Sequence, residues 1–179
     1  MPKPDLSRFY PLNIAVLTVS DSRNSSNDSS GDLLCGLLQS ADHQLVDRAL
    51  LPNNKYQLRA KLSQWIASDN IQVVLINGGT GFQHTNCTVT ALTPLLDTEV
   101  PGFGELFRQL SFNELGSAAL QSGALAGLAN GTLIFAMPGS GGACQLAMQQ
   151  LILPQLDSKT GPCNFVAHVK NSPLKSCGA

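Results

Sequence analysis

Charged residues are scarce in this chain, and a run of basic residues is missing. Only 13% of the 179 residues are charged, and 11 basic against 12 acidic residues give a net charge of −1. Electrostatic binding of nucleic acid needs a basic face, so we expect no nucleic-acid partner. The chain also lacks an apolar run of about 20 residues, the length that spans a membrane. Its first residues, MPKPDLSRFYP, lack the apolar core of a signal peptide. We therefore expect a cytoplasmic protein with no membrane partner.

Clustered cysteines are missing as well. The cysteines are widely scattered and no CxxC pair occurs, which argues against a zinc knuckle or a thioredoxin-type motif. An odd number of separate thiols fits a reducing compartment, in which cysteine serves as a small apolar residue. We predict that all of them are free thiols: Cys35, Cys87, Cys144, Cys163 and Cys177.

Apolar residues are abundant, at 43% of the chain. A chain of this length forms one domain that buries about 70% of the surface of its unfolded form. We predict a single domain over residues 1–179, with irregular tails at 1–11 and 169–179. The low charge also favours self-association. Apolar side chains in a predicted helix, Leu106, Phe107, Leu110 and Phe112, indicate an interface between subunits.

Buried strands alternate with helical segments along the sequence. Continuous apolar runs at 12–20, 71–76 and 132–140 predict strands covered on both faces, and 43–51 predicts a weaker strand. Helical spacing recurs at 33–41, 58–66, 88–96, 103–112, 114–128 and 143–151, with Pro154 ending the last helix. Asn130-Gly131 predicts a tight turn. The alternation predicts an α/β fold, a three-layer α/β/α sandwich around a mainly parallel mixed sheet.

Three polar, glycine-rich loops follow the carboxyl ends of predicted strands, at 20–31, 78–86 and 138–142. Ligands of such sheets bind at these ends, near a topological switch point. Gly78-Gly79-Thr80-Gly81 lets N–H groups turn toward an anion, although a tight turn without a ligand has the same pattern, and the Walker motif is absent. Ser140 is placed to cap a helix or to donate to a phosphate, and Asp28 or Ser29 is placed to cap the helix that follows the first loop, with Asp28 the expected cap.

Four motifs in order resemble one known family. TVSDS…DSSG, VVLINGGTGF, EVPGFGELFRQLSF and LIFAMPGS, from Leu12 to His168, closely resemble the MoaB/Mog family of molybdenum cofactor biosynthesis proteins. The resemblance implies an α/β/α sandwich assembled as a homotrimer or hexamer. Active members of the family adenylate molybdopterin, whose terminal phosphate attacks the α-phosphate of Mg-ATP and releases pyrophosphate. Molybdopterin as ligand, and Mg²⁺ and ATP if the chain is catalytic, are therefore implied.

The resemblance also implies which residues contact the ligand. It places Gly78, Gly79, Thr80 and Gly81 at the phosphate site, and suggests further contacts from Ser20, Asp21, Ser30, Gly31, Pro138, Gly139 and Ser140. The positions of the family's acidic residues fall on Asn86 and Asn53. With Asp21 they are the candidates for a catalytic role, and the metal ligands stay unassigned.

Two departures from the family pattern concern these acids. Active members have Arg-Asp where this chain has Thr85-Asn86, and an Asp after the proline where it has Pro52-Asn53. An amide is a poor magnesium ligand beside a carboxylate. A third departure is Gly123, where a basic residue is common.

Three hypotheses remain open. The chain is an adenylyltransferase in which Asp21, Asp97 or Glu105 partly replaces the missing carboxylates; or it is a non-catalytic carrier or assembly factor that binds the pterin; or it is a structural oligomer with an empty pocket. The acids around Pro101, which include Asp97, Glu99 and Glu105, either close the site or are solvated helix ends.

Overall fold

Six strands form one mixed sheet in the computed structural model, which describes residues 8–174. Their order across the sheet is β2-β1-β3-β6-β5-β4. The first, second, third and sixth run parallel, while β5 is antiparallel to β6 and to β4. The predicted mainly parallel mixed sheet is confirmed. The strands are β1 (Asn13–Val19), β2 (Gln44–Leu51), β3 (Val73–Asn77), β4 (Thr98–Glu99), β5 (Leu125–Ala129) and β6 (Thr132–Met137).

Helices connect the strands and begin at polar caps. Asp28 caps α1 by accepting a hydrogen bond from the Gly31 N–H at 3.0 Å, as predicted. Asn54 caps α2 in the same way, and the Ser140 hydroxyl caps α5. The helices are α1 (Ser29–Ser40), α2 (Lys55–Ala67), α3 (Thr88–Leu92), α4 (Pro101–Leu115), α5 (Gly141–Ala147) and α6 (Leu153–Leu156). Short 3₁₀ turns lie at Thr93–Leu95, Gly116–Gln121 and Val166–His168.

Two apolar layers cover the sheet, one on each face. Alternate side chains of β1 belong to different layers: Ile14 and Val16 face one layer, while Ala15 and Leu17 face the other. The first layer contains buried side chains of α1, α4, α5 and α6, including Leu34. The second contains those of α2 and α3, including Trp65. The predicted three-layer α/β/α sandwich is therefore confirmed.

The segment 114–128 was predicted to be helical, and this prediction is wrong. Helix α4 ends at Leu115, where Gly116 has φ +59°, and a 3₁₀ turn leads into β5. Helix propensity is overridden here by pairing with β6 across the predicted Asn130-Gly131 turn. Both turn residues have positive φ, at +47° and +68°, as a two-residue hairpin turn requires.

Two prolines have roles that differ from the predicted ones. Pro101 falls between the predicted helical segments 88–96 and 103–112, as a residue that separates them, but in the structure it begins α4, because a residue in the first turn needs no N–H donor. Pro154 does not end the last helix, since a π turn at Met148–Ile152 precedes it and places it in the first turn of α6. The predicted helix 88–96 shortens to α3 and a 3₁₀ turn that contains Pro94.

The described parts of the two tails are irregular but packed. Val169 and Leu174 are buried in the first apolar layer, and the partly buried Tyr10 packs against it. Cys35, Cys87, Cys144 and Cys163 are free thiols, and Cys177, with the outer ends of both tails, lies outside the described residues. Within residues 8–174, no helix has the length and apolar character needed to cross a bilayer.

Candidate functional site

The loop after β3 turns through two glycines in the left-handed region. Gly78 has φ +92° and Gly79 has φ +64°, conformations that cost other residues about 1–2 kcal/mol. A Cβ on Gly78 would overlap the Val19 carbonyl oxygen, and one on Gly79 would overlap the Thr88 hydroxyl. Glycine is needed at both positions, because the loop passes directly over the end of β1.

Three hydrogen bonds fix this turn, and the carbonyl groups of the turn accept two of them. The Gly78 N–H donates to Met137 O at 3.0 Å, the Thr88 N–H donates to Gly79 O at 2.9 Å, and the Thr88 hydroxyl donates to Gly78 O at 2.8 Å. No hydrogen bond within residues 8–174 uses the N–H groups of Gly79, Thr80 and Gly81. Three successive free N–H groups at a strand end can bind an anion.

A cavity of about 370 Å³ lies over this loop, at the carboxyl ends of β1, β3 and β6. These strands are neighbours at the point where the strand order reverses, which is where ligands of open α/β sheets bind. The structure thus brings the three glycine-rich loops together. Eight of the residues assigned to the site by resemblance line the cavity: Ser20, Gly78, Gly79, Thr80, Gly81, Asn86, Pro138 and Gly139.

Besides Asp21, three of the residues expected to contact the ligand do not line the cavity. The Ser30 hydroxyl donates to Gly139 O at 2.8 Å and so ties α1 to the loop after β6. Gly31 is buried against the Asp28 carboxylate. The Ser140 hydroxyl accepts from the Ala143 N–H at 3.3 Å. Each of these residues supports the loops around the cavity, and a direct contact between them and the ligand stays a prediction.

Asp21 and Asn53 form a clamp beside the cavity, and neither lines it. The Asn53 backbone N–H donates to Asp21 Oδ1 at 2.8 Å, and Asn53 Nδ2 donates to Asp21 Oδ2 at 2.9 Å. These bonds lower the pKa of the Asp21 carboxyl, the side-chain bond more than the backbone bond. Asn53 Oδ1 is buried without a partner in the described chain and lies against Gly79. The clamp joins the loops that follow β1 and β2.

The magnesium ion implied by the resemblance does not fit these residues. Asn86 and Asn53 offer neutral amides, and Asn53 turns its donor end toward Asp21. Asp97 accepts from the Asn130 N–H at the opposite edge of the sheet, and Glu105 borders another cavity beside Glu99. The described residues contain no group of three His, Cys, Asp or Glu side chains that could hold a metal ion. Neither Asp97 nor Glu105 lines the cavity over the glycine loop.

Several residues that the sequence reasoning missed also line the cavity. Arg23, from the polar loop after β1, contributes a positive charge, and Asn77, the last residue of β3, contributes an amide. Arg23 had a signal in the sequence, because it is a basic residue just after a buried strand. Gln121 and Ser122 had none, since their segment was predicted to be helical. The missed lining residues are Val19, Arg23, Asn77, Ala118, Gln121, Ser122 and Gly123.

A buried hydrogen-bond chain lies under the cavity. The Thr18 hydroxyl donates to Asp28 Oδ2 at 2.7 Å, and Asn77 Nδ2 donates to the Thr18 hydroxyl at 2.9 Å. Burial raises the pKa of the Asp28 carboxyl, but hydrogen bonds from Arg48, Thr18 and Gly31 outweigh burial, so the pKa is lowered. The ionised carboxylate therefore fixes the Asn77 amide, and Asn77 Oδ1 is left without a partner in the described chain.

Gly123 brings the segment after α4 against the glycine loop. A Cβ at this position would overlap the Thr80 carbonyl oxygen. The basic residue that is common here in the family therefore has no room unless the segment shifts. A second cavity of about 470 Å³ shares Gly79–Gly81 and Asn86 with the first. Its other walls are mainly apolar and include Phe82, Val89 and Leu120, with Arg108 at one side.

Comparison with known proteins agrees with this geometry. The family model described as a probable molybdopterin binding domain matches residues 15–158. Molybdenum cofactor biosynthesis protein B of Escherichia coli (strain K12) is 54% identical over 164 residues, which cover 92% of this chain and 96% of the relative.

Solved structures agree as well. A crystal structure of a molybdenum cofactor biosynthesis protein B has a TM-score of 0.80 at 39% identity, covering 82% of this chain and 92% of that one. The tungsten cofactor synthesizing protein MoaB from Pyrococcus furiosus has a TM-score of 0.71 at 31% identity, covering 78% and 89%. The loops, the cavity and these matches lead to one conclusion: the chain belongs to the MoaB/Mog family of molybdenum cofactor biosynthesis proteins.

Proposed function

We propose that the chain acts in molybdenum cofactor biosynthesis as a protein that binds molybdopterin, with the terminal phosphate of the pterin in the cavity over Gly79–Gly81. The observation that carries this proposal is the row of three N–H groups, from Gly79, Thr80 and Gly81, that make no hydrogen bond within residues 8–174. Unpaired backbone donors next to a cavity are costly unless water or a ligand accepts from them. A phosphate supplies several acceptors at once.

The second cavity supports the placement of the rest of the ligand. It shares the glycine loop with the phosphate site, and Phe82, Val89 and Leu120 give it apolar walls. Ligand pockets combine such walls with a few polar groups that fix orientation. The pterin ring system lies against these walls in this proposal, while its phosphate reaches the N–H groups of the loop.

Binding without adenylation is the form of this function that the geometry favours. Among the described residues no carboxylate lines the cavity, and the positions of the family's acids carry Asn86 and Asn53. The second candidate is adenylation of molybdopterin with Mg-ATP. One observation favours it, namely that Asp21 keeps a carboxylate within 2.9 Å of Asn53 Nδ2, next to the cavity.

Anaerobic titration calorimetry with purified molybdopterin tests binding. We expect wild-type protein and Gly36→Ala to bind equally, because Gly36 is exposed on α1 with nothing within 4 Å of an added Cβ. Gly79→Ala is expected to lose binding at least tenfold. Absence of binding by folded wild-type protein at millimolar molybdopterin would refute the proposal.

Pyrophosphate release on addition of Mg-ATP separates the two candidates. A binding protein releases none, with or without Asn86→Asp. A weakened adenylyltransferase is slower than an active family member by about 10²–10³, the usual cost of losing one charge-stabilising group. Its release would rise in Asn86→Asp and would depend on magnesium, because a carboxylate is a better ligand for this ion. Wild-type release at the full rate of an active member would exclude both forms and place the metal on other residues.

A further inference from the structure

The side chains around the glycine cavity carry one formal charge. Of its fifteen lining residues, Arg23 is the only one with a charged side chain. The free N–H groups of Gly79, Thr80 and Gly81 add partial positive charge at the same place. The described part of the cavity therefore presents positive charge and no carboxylate, which suits an anion and disfavours a cation.

The Arg23 side chain is held at the cavity by two of the loops. Its Nη2 donates to Gly139 O at 3.2 Å, and its backbone N–H donates to the Ser20 hydroxyl at 3.2 Å. Nη1 donates to Asp28 Oδ1 at 3.4 Å, and 28% of the side chain is exposed. A guanidinium carries five N–H donors in a fork that matches phosphate oxygens. Two are used here, so three remain for a ligand.

Asp28 offsets the charge of Arg23 only in part, because a second arginine lies closer to this carboxylate. Arg48 Nη2 is 2.8 Å from Asp28 Oδ2, against 3.4 Å for the Arg23 contact with Asp28 Oδ1. Arg48 also pairs with Asp32 at 2.7 Å. The four side chains together are neutral, and Arg23 is the member that faces the cavity. Asp28 and the Gly139 carbonyl thus position the Arg23 guanidinium at the cavity, where it is the charged group of this neutral cluster that a ligand phosphate can reach.

We propose that Arg23 supplies the counter-charge that a magnesium ion would otherwise supply, so that the cavity binds a phosphate monoester dianion directly and without a divalent cation. Arg23 and the N–H groups of Gly79–Gly81 bind the phosphate oxygens from the β1 and β3 loops. The inference deepens the proposed function by naming the group that binds the ligand phosphate, and it rests on that function only in assigning the phosphate to molybdopterin.

Inorganic phosphate is the probe, and its dissociation constant is measured by NMR titration of the full chain in EDTA and in MgCl₂. We expect the two constants of wild-type protein to agree within twofold. Arg23→Gln is expected to weaken phosphate binding at least tenfold. The dissociation constant of Arg23→Lys should lie between those of wild type and Arg23→Gln, because lysine keeps the charge but lacks the forked guanidinium. Lys159→Gln is the control, since it removes the same charge from an exposed residue that lines a different cavity. It should bind within twofold of wild type.

A second readout covers the case in which Arg23→Gln does not fold. In wild-type protein the Arg23 Nε–H signal should move on addition of phosphate, and the signals of Arg8 and Arg59 should not. A stationary Arg23 signal, or a magnesium requirement that strengthens binding more than tenfold, would overturn the inference. Equal binding by folded Arg23→Gln and Lys159→Gln would overturn it as well.

Molybdopterin binding is measured in parallel to separate this inference from the proposed function. Phosphate binding that depends on Arg23, without binding of molybdopterin, supports the inference and refutes the proposed function. Molybdopterin binding that is equal in wild type and Arg23→Gln supports the proposed function and refutes the inference.

Discussion

Single atoms decide which residues are tolerated around the glycine loop. Gly78, Gly79 and Gly123 each lie where a Cβ would overlap a neighbouring oxygen, and the first two also have positive φ. The loop could be predicted from GGTG, because the motif follows a buried strand. The contact between Gly123 and Thr80 could not, since it joins residues far apart in sequence. The Asn53 clamp was unpredictable for the same reason, because its partner Asp21 belongs to another loop.

Gly79→Ala tests the strain in the glycine loop. We expect it to lower the free energy of unfolding by at least about 1–2 kcal/mol, because alanine disfavours φ +64° and its Cβ overlaps the Thr88 hydroxyl. Each kcal/mol corresponds to about 2–4 °C in Tm for a chain of this size. The matched control Gly36→Ala should gain up to about 1 kcal/mol, because it improves an exposed helix position. Equal Tm values in the two variants would contradict the assigned loop conformation.

Asn53→Asp tests why an amide occupies this position. The substitution removes the Nδ2 donor and places a second carboxylate beside Asp21, so we expect a lower Tm at pH 7. The difference in Tm between the variant and wild type should shrink at pH values below the pKa of the two carboxyls, where both are protonated. Added MgCl₂ should raise the Tm of the variant more than that of wild type. Asn54→Asp is the control, because aspartate caps a helix as well as asparagine does. A Tm for Asn53→Asp equal to that of the control would show that the clamp contributes nothing.

Among the secondary-structure elements, the buried strands were predicted most clearly from the sequence, and the helix predicted at 114–128 is the clearest error. Strands β1, β3 and β6 are continuous apolar runs buried on both faces, a pattern typical of the inner strands of a parallel sheet. Strand β5 is short, rich in alanine and leucine, and follows a helix, so its local pattern indicated a longer helix. Pairing with β6 decides its conformation, and such pairing is invisible to local propensity. The error hid Gln121 and Ser122 from the predicted site.

His43 joins the segment before β1 to the turn between α1 and β2. Its Nδ1 accepts from the Leu12 N–H at 3.2 Å, and its ring packs on Phe9. Burial lowers the pKa of His43, although Asp157 and Asp42 act in the opposite direction. A histidine whose pKa is lowered by folding stabilises the chain above its unfolded-state pKa of about 6.5. That contribution is lost as the pH falls from about 6.5 toward the folded-state pKa.

Thermal melting at several pH values tests this role. We expect the Tm of wild-type protein to fall between pH 7.5 and pH 5.5, and His43→Gln to show a smaller fall because its side chain does not titrate. Asp28 has a lowered pKa, so its contribution is lost only in more acidic solution and does not overlap this range. The same slope in both proteins would assign the pH dependence to other groups.

At the scale of the whole molecule, several large apolar side chains remain exposed on the surface of the folded chain. The sequence pointed to Leu106, Phe107, Leu110 and Phe112, but Phe107 is buried in the core. Four of the seven exposed large apolar residues in the described chain come from residues 106–120: Leu106, Phe112, Leu115 and Leu120. Periodicity predicted the apolar character of the helix but not which side faces inward. A concentration of exposed apolar side chains in one segment indicates an interface.

Sedimentation equilibrium tests the prediction of a homotrimer or hexamer. Phe112→Asp should shift the protein toward the monomer, because the side chain is 59% exposed and the change leaves the core intact. Tyr56→Asp is the control, since Tyr56 is 71% exposed on α2, against the other face of the sheet. A monomeric wild-type protein at micromolar concentration would contradict the prediction, as would equal dissociation of the two variants.

Amide NMR of the full chain is the decisive test of whether the glycine cavity binds the phosphate of molybdopterin through backbone N–H groups. On anaerobic addition of molybdopterin without magnesium, the amide signals of Gly79, Thr80 and Gly81 should shift with saturation. Signals at the opposite edge of the sheet, such as Asp42 and Asn130, should stay in place. Shifts confined to that edge, or a loop whose signals do not move while binding occurs, would contradict the claim.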